Sequence, residues 1–173
     1  MAVASNLTRI ELAIHPHLSS HWERNDPARD CIPDTEPGAI VYARRTIEVN
    51  GHPIAYELRG EGVPLVLVAG TGYPGATWPA EFVEPLLERH AVLIFDHRGT
   101  GSTPPSPGRY STRLFAQDAA ALMDALGLEA AHVLGHSMGG RVAQWMALDR
   151  PERVRTLILA ASGPGQFRDD RPV

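Results

Sequence analysis

Two short stretches of this chain hold residues whose types and spacing can do chemistry. The first, Gly135-His136-Ser137-Met138-Gly139, is a G-x-S-x-G lying between the apolar run AHVL and a helix-like run that carries Val142, Trp145 and Met146. A tight strand-to-helix turn lifts a serine hydroxyl to the carboxyl edge of a sheet. Small residues two before and two after it, here Gly135 and Gly139, are needed because the backbone is crowded and the serine strained. A serine held this way is a candidate nucleophile, and the helix N-terminus below it turns unpaired N–H groups toward a developing negative charge. The competing reading is a serine that only caps a helix in a glycine-rich turn. His136 adjoins Ser137 without being its base, since neighbours at such a turn point in different directions; a packed or hydrogen-bonded ring is expected.

The second stretch, Gly70-Thr71-Gly72-Tyr73-Pro74-Gly75, is a complete G-x-G-x-x-G at the end of the apolar run PLVLVA. Such a loop can cradle a dinucleotide pyrophosphate, in which case Asp96, 21 residues beyond Gly75, stands where a ribose-binding acid belongs. It can equally supply backbone N–H groups to an oxyanion beside a nucleophile. The dinucleotide reading, a Rossmann oxidoreductase, requires the loop to run straight into a continuous helix, yet Pro74, Pro79 and Pro85 interrupt that span. It also leaves GHSMGG unexplained, and a hairpin precedes what should be the first strand. No cofactor is therefore expected.

Elements that position these stretches are legible from periodicity. The runs AIVYARRTIEV and PIAYEL alternate as strands do and are joined by Asn50-Gly51, a dipeptide suited to a tight hairpin turn. Continuous apolar runs at 64–69, 91–95 and 131–135, with VRTLILAA at 154–161, read as strands of a mostly parallel sheet. Between them, Leu114, Phe115, Ala119, Leu122, Met123 and Leu126 share one helical face, with Ser111 or Thr112 as N-cap and Gly127 as the stop. A second helix follows Ser137 and ends before Pro151. The expected fold class is α/β: an N-terminal hairpin plus a mostly parallel sheet with flanking helices, over residues 39–173. Residues 1–38, rich in Pro, Asp and Arg, read as a poorly ordered extension.

Composition narrows the partners. The net charge of −4 offers no basic face for nucleic acid or an anionic membrane, and no apolar run is long enough to span a bilayer. The single cysteine, Cys31, excludes an intrachain disulfide, and the N-terminus lacks the apolar core of a secretory signal, so a cytoplasmic protein is expected. His15, His17 and His21 have a loose metal-ligand spacing but no fourth ligand; they read as loop histidines, and no metal is expected.

In their order and intervals, PLVLVAGTGYPGATW, FDHRGTGST and GHSMGG resemble the α/β-hydrolase fold superfamily, serine hydrolase branch, over about residues 40 to 163. The resemblance implies that Ser137 is the nucleophile and that the N–H of Met138 is one oxyanion donor. The second donor would be Thr71 or Gly72, although Ala69-Gly70 stands where relatives often carry His-Gly. Asp96, Arg98, Gly99 and Gly101 match the family's D-x-R-G-x-G turn, which shapes the floor of the site. A serine at 137, rather than an aspartate, argues against the dehalogenase and epoxide-hydrolase branches. The implied function is attack on an ester, thioester, lactone or related carbonyl of a small molecule through an acyl-enzyme.

A serine needs a base, and the base an orienting acid, in family order after the serine. None of the eight histidines follows Ser137, and only 36 residues remain. Asp169 and Asp170 read as tail residues, and His97 is the best substitute base, on a turn that does not aim it at the nucleophile. The expectation is an incomplete α/β-hydrolase fold with about six of eight strands, truncated and poorly active alone. Strand 154–161 would then be an exposed edge open to self-association. A non-catalytic binding or interaction fragment is the alternative from another class.

Overall fold

A computed structural model describes residues 44–163, all within one compact unit, Val41–Val173. The strands are β1 (Arg45–Val49), β2 (His52–Arg59), β3 (Val63–Val68), β4 (His90–Phe95), β5 (Ala131–His136) and β6 (Val154–Ala160); the helices are α1 (Ala80–Val83), α2 (Thr112–Ala125) and α3 (Met138–Asp149). The strands form one sheet in the order β1-β2-β4-β3-β5-β6. The hairpin β1–β2 turns through Asn50 and Gly51, whose φ angles of 51° and 67° give the twist that a two-residue loop requires. β2 pairs antiparallel with β4, whereas β3 pairs parallel with both β4 and β5, and β5 with β6. The mixed sheet with flanking helices matches the expected α/β class.

Period-2 alternation in the central strands explains why both faces are covered. Val66, Val68, Leu93, Phe95 and Val133 pack with Phe115, Leu122 and Met123 of α2 and Val142 and Met146 of α3. The intervening Leu65, Leu67, Val92, Ile94 and Leu134 pack on the other side with Val83, Trp78, Phe82 and Leu86. Helix α2 starts where Ser111 Oγ accepts the Leu114 N–H (3.0 Å), which chooses Ser111 over Thr112 as the cap. Leu114 and Leu126, expected on its inner face, are only half-buried, while the face also buries Asp118.

The span after β3 contains no long helix. Gly75–Thr77 is a single 3₁₀ turn, α1 is four residues long and begins after Pro79, and Glu84–Glu88 is again 3₁₀. The prolines break the segment as their missing N–H groups and fixed φ dictate. A continuous helix aimed at a pyrophosphate is therefore lacking. Among the described residues β6 pairs with β5 alone and has no fully buried side chain, Leu159 being 43% exposed. Among the described residues no helix is long and apolar enough to cross a membrane. Cys31 and the histidines at 15, 17 and 21 lie outside the described residues, as do Asp169, Asp170 and the proposed extension 1–38.

Candidate active site

Ser137 occupies the turn between β5 and α3 with φ 54° and ψ −118°, a backbone region that a non-glycine residue enters only under strain. The Ser137 N–H donates to the Ala160 carbonyl of β6 (2.9 Å), and its carbonyl accepts from the Gly140 N–H (3.0 Å). Its hydroxyl caps nothing: α3 has no side-chain cap bond, unlike α2 with Ser111. The crowding that forces this conformation is visible on both sides. A Cβ at Gly135 would meet the Gly139 carbonyl oxygen at 2.3 Å, and one at Gly139 would meet that of Val68 at 2.1 Å. Only hydrogen fits at these two positions.

Met138 begins α3, so its N–H is among the first-turn donors without an intrahelical acceptor. Across from it, the loop after β3 closes a turn in which the Tyr73 N–H donates to the Gly70 carbonyl (3.3 Å) and Gly72 takes φ 72°. Thr71 and Gly72 are exposed at the tip of this turn. Gly70 brings the two stretches together: a Cβ on it would lie 3.4 Å from Ser137 Cβ and 3.5 Å from His136 Nδ1. The glycine-rich loop and the serine turn, far apart along the chain, thus lie side by side at the carboxyl edge of β3 and β5.

The family model for the α/β hydrolase fold matches residues 63–172, more than half of the chain. The chain belongs to the α/β-hydrolase fold family. It is 42% identical over 104 residues to RutD of Azorhizobium caulinodans, described as a candidate carbamate hydrolase, covering 60% of this chain and 39% of that protein. It is also 42% identical over 108 residues to rhodomycin D methylesterase DauP of Streptomyces sp. (strain C5), covering 58% of this chain and 35% of that one. Among solved structures, Est816, described as an N-acyl homoserine lactone degrading enzyme, superposes with a TM-score of 0.65 at 34% identity, covering 69% of this chain and 46% of that one. The chain spans about two fifths of the length of the curated relatives it matches.

Within this α/β-hydrolase fold the histidines are placed differently from one another. His136 is exposed, with its ring edge-on to Trp78 (6.3 Å). His97 is 2% exposed and sandwiched, stacked on Phe115 (4.5 Å) and edge-on to Phe95 (5.1 Å). Among the described residues neither of its ring nitrogens finds a hydrogen-bond partner. Burial pushes its pKa down to about 4; the nearby Ala69 backbone and the Asp118 charge oppose that shift. A ring clamped between two phenylalanines is poorly placed to take a proton from Ser137. Among the described residues, no side chain hydrogen-bonds the Ser137 hydroxyl.

The D-x-R-G-x-G turn does more than shape a floor. Asp96 is fully buried, and its carboxylate accepts from the Gly75 N–H (2.7 Å), the Ser102 N–H (2.8 Å) and the Arg44 guanidinium. A carboxylate so occupied has little capacity left for a ribose. Arg98 forms a two-pronged pair with Asp118 of α2 (2.6 and 2.7 Å), and Asn50 of the hairpin turn donates to the same carboxylate (3.0 Å). Asp118 and Arg44 carry no sequence motif. Their only signal is a charge inside an otherwise apolar helical stripe, for Asp118, which marks a buried partner to be found.

Proposed function

We propose that this chain carries the nucleophile and oxyanion elements of a serine hydrolase acting on a small-molecule ester, thioester, lactone or related carbonyl. The observation that carries this reading is Ser137 itself. Its backbone is held at φ 54°, ψ −118° by glycine contacts that admit no Cβ, and its hydroxyl is spared from capping the helix it precedes. Strain of about 1–3 kcal/mol at one residue persists only where the surrounding structure over-determines it, and functional sites are where such strain collects. The compounds in the relatives' names support the class: a methyl ester, an N-acyl homoserine lactone and a carbamate each present a carbonyl with a heteroatom leaving group.

In this reaction Ser137 Oγ attacks the carbonyl carbon while its proton passes to a base, and the carbonyl π electrons move onto oxygen. The Met138 N–H, with that of Thr71 or Gly72, receives the oxyanion; removing one such donor typically costs about 3 kcal/mol of barrier. Collapse expels the alcohol, thiol or amine, leaving an acyl-enzyme that water hydrolyses. The described residues supply no base and acid in contact with Ser137, so full turnover depends on a base–acid pair from elsewhere, and the described unit alone is a poor catalyst. No cofactor takes part in these steps.

The test is a fluorophosphonate probe applied to the wild-type chain and to Ser137→Ala. Slow labelling is expected in the first, because no base among the described residues contacts Ser137, and none in the second. Labelling that survives the substitution places the nucleophile elsewhere, and a wild-type chain that never labels has no activated serine. The half-buried edge strand β6 favours a second reading, self-association through that strand; a monodisperse monomer across the micromolar range in sedimentation would reject it.

A further inference from the structure

Gly75 closes the glycine-rich loop, and its amide is tied to the one fully buried carboxylate at the end of β4. We propose that Asp96 is a positioning residue for the oxyanion loop: its carboxylate fixes the Gly75 N–H and so sets where the N–H groups of Thr71 and Gly72 point. This rests on the hydrolase reading of Ser137 given above.

The coupling is short and stiff. Asp96 Oδ1 accepts from Gly75 at 2.7 Å, while Oδ2 accepts from Ser102 at 2.8 Å and pairs with Arg44, so the acceptor is itself held from two further sides. Gly75 cannot drift toward the sheet, because a Cβ there would already meet Ile94 Cγ2 at 2.4 Å and the Phe95 carbonyl oxygen at 3.1 Å. From this fixed point back to Gly72 the chain passes through Pro74, whose ring holds φ at −71°, and Tyr73, whose N–H closes the turn on Gly70. On the other side Thr77 secures the Pro74 carbonyl through both its N–H (3.0 Å) and its Oγ1 (2.6 Å). The tip at Thr71 and Gly72 is exposed, and a Cβ on Gly72 would meet nothing within 4 Å. Preorganised donors need a support that does not move as charge develops. For this loop the Asp96 carboxylate is the charged support, itself held by Ser102 and Arg44.

The experiment uses the full ¹⁵N-labelled chain and its Asp96→Asn variant, which keeps the side-chain size and loses the charge. The expected result is that the amide resonances of both Gly75 and Gly72 move and the Gly75 amide exchanges at least about tenfold faster, while Val133 and Met146 amides stay put. In fluorophosphonate kinetics the maximal labelling rate of Ser137 should fall by about ten- to a hundredfold, the cost of small misplacement at a reacting centre, with half-saturation of the probe unchanged. A merely structural Asp96 would change protein stability and leave that rate-versus-saturation split untouched. A Gly72 resonance that stays fixed while Gly75 moves overturns the proposal, as does an unchanged labelling rate. Should Asp96→Asn fail to fold, Arg44→Gln leaves the carboxylate in place without its cation. Smaller shifts of both glycine amides are then expected, and their absence overturns the proposal. A wild-type chain that does not label shows a Ser137 left without its base, and the amide measurements still decide the role of Asp96.

Discussion

Gly139, on the first turn of α3, lies against the main chain of Val68 at the end of β3, so near that a Cβ would meet the Val68 carbonyl oxygen at 2.1 Å. The contact is with backbone on an inner strand of the sheet, which cannot swing aside as a flexible side chain would. Gly139→Ala must therefore push α3 away from β3 or distort the elbow, at a cost of about 3 kcal/mol. Urea unfolding of the full chain measures it; a loss below about 0.5 kcal/mol, the range of ordinary surface substitutions, would show that the helix start adapts freely.

Ser137 gives the opposite expectation. At φ 54°, ψ −118° glycine relieves backbone strain that serine cannot escape. Ser137→Gly should raise stability by about 1 kcal/mol while abolishing probe labelling, a gain offset in part by the entropy glycine adds to the unfolded chain. Ser137→Ala, which keeps the strain, should show no such gain in the same thermal melts.

The buried ring of His97 makes stability depend on pH. Its folded pKa is lowered from 6.5 to about 4, so the unfolded chain binds the proton more readily and acid favours unfolding. The contribution is intact above about pH 6.5, falls as the pH drops, and levels off below about 4, amounting to about 3 kcal/mol in all. His97→Phe replaces a titrating ring by one that suits the Phe95–Phe115 sandwich. The stability difference between wild type and this variant should shift by that amount between pH 7 and pH 4; a constant difference would show that His97 is not neutral and enclosed.

Asp118 holds Arg98 by two hydrogen bonds and Asn50 by a third, at 3% side-chain exposure. Removing one partner strands the other, so Asp118→Ala should cost about 3 kcal/mol, whereas Asp118→Leu combined with Arg98→Met should recover much of the loss. Equal denaturation midpoints for wild type and Asp118→Ala would show that solvent replaces the carboxylate.

Much of the fold was legible because hydrophobic period reports burial directly. Runs such as 64–69 and 131–135 read as strands covered on both faces, and the observed strands fall within a residue of them. Pro79 foretold the break in the helix that a dinucleotide site needs. Less legible were side chains whose partners are far along the chain. Asp118 interrupts an apolar stripe, but nothing local says that Arg98 and Asn50 meet it. For His97 the sequence indicates a turn that does not aim it at Ser137, and only the packing of Phe95 and Phe115 around it shows a ring shut away from solvent.

The sequence by itself determined the elements and the turn chemistry, because periodicity, proline and glycine act over a few residues. It placed the G-x-S-x-G between a strand and a helix, and the glycine-rich loop at the end of another strand. Tertiary structure alone decided that Gly70 and Ser137 are neighbours, that the Ser137 hydroxyl is left uncapped, and that Asp96 spends its carboxylate on Gly75, Ser102 and Arg44. Those outcomes depend on β3 and β5 lying side by side in a sheet whose order, β1-β2-β4-β3-β5-β6, differs from the order of the chain. Contacts across that rearrangement leave no pattern in neighbouring residues, which is why the same Asp96 could be read from sequence as a ribose ligand and is found in the fold as the anchor of a loop.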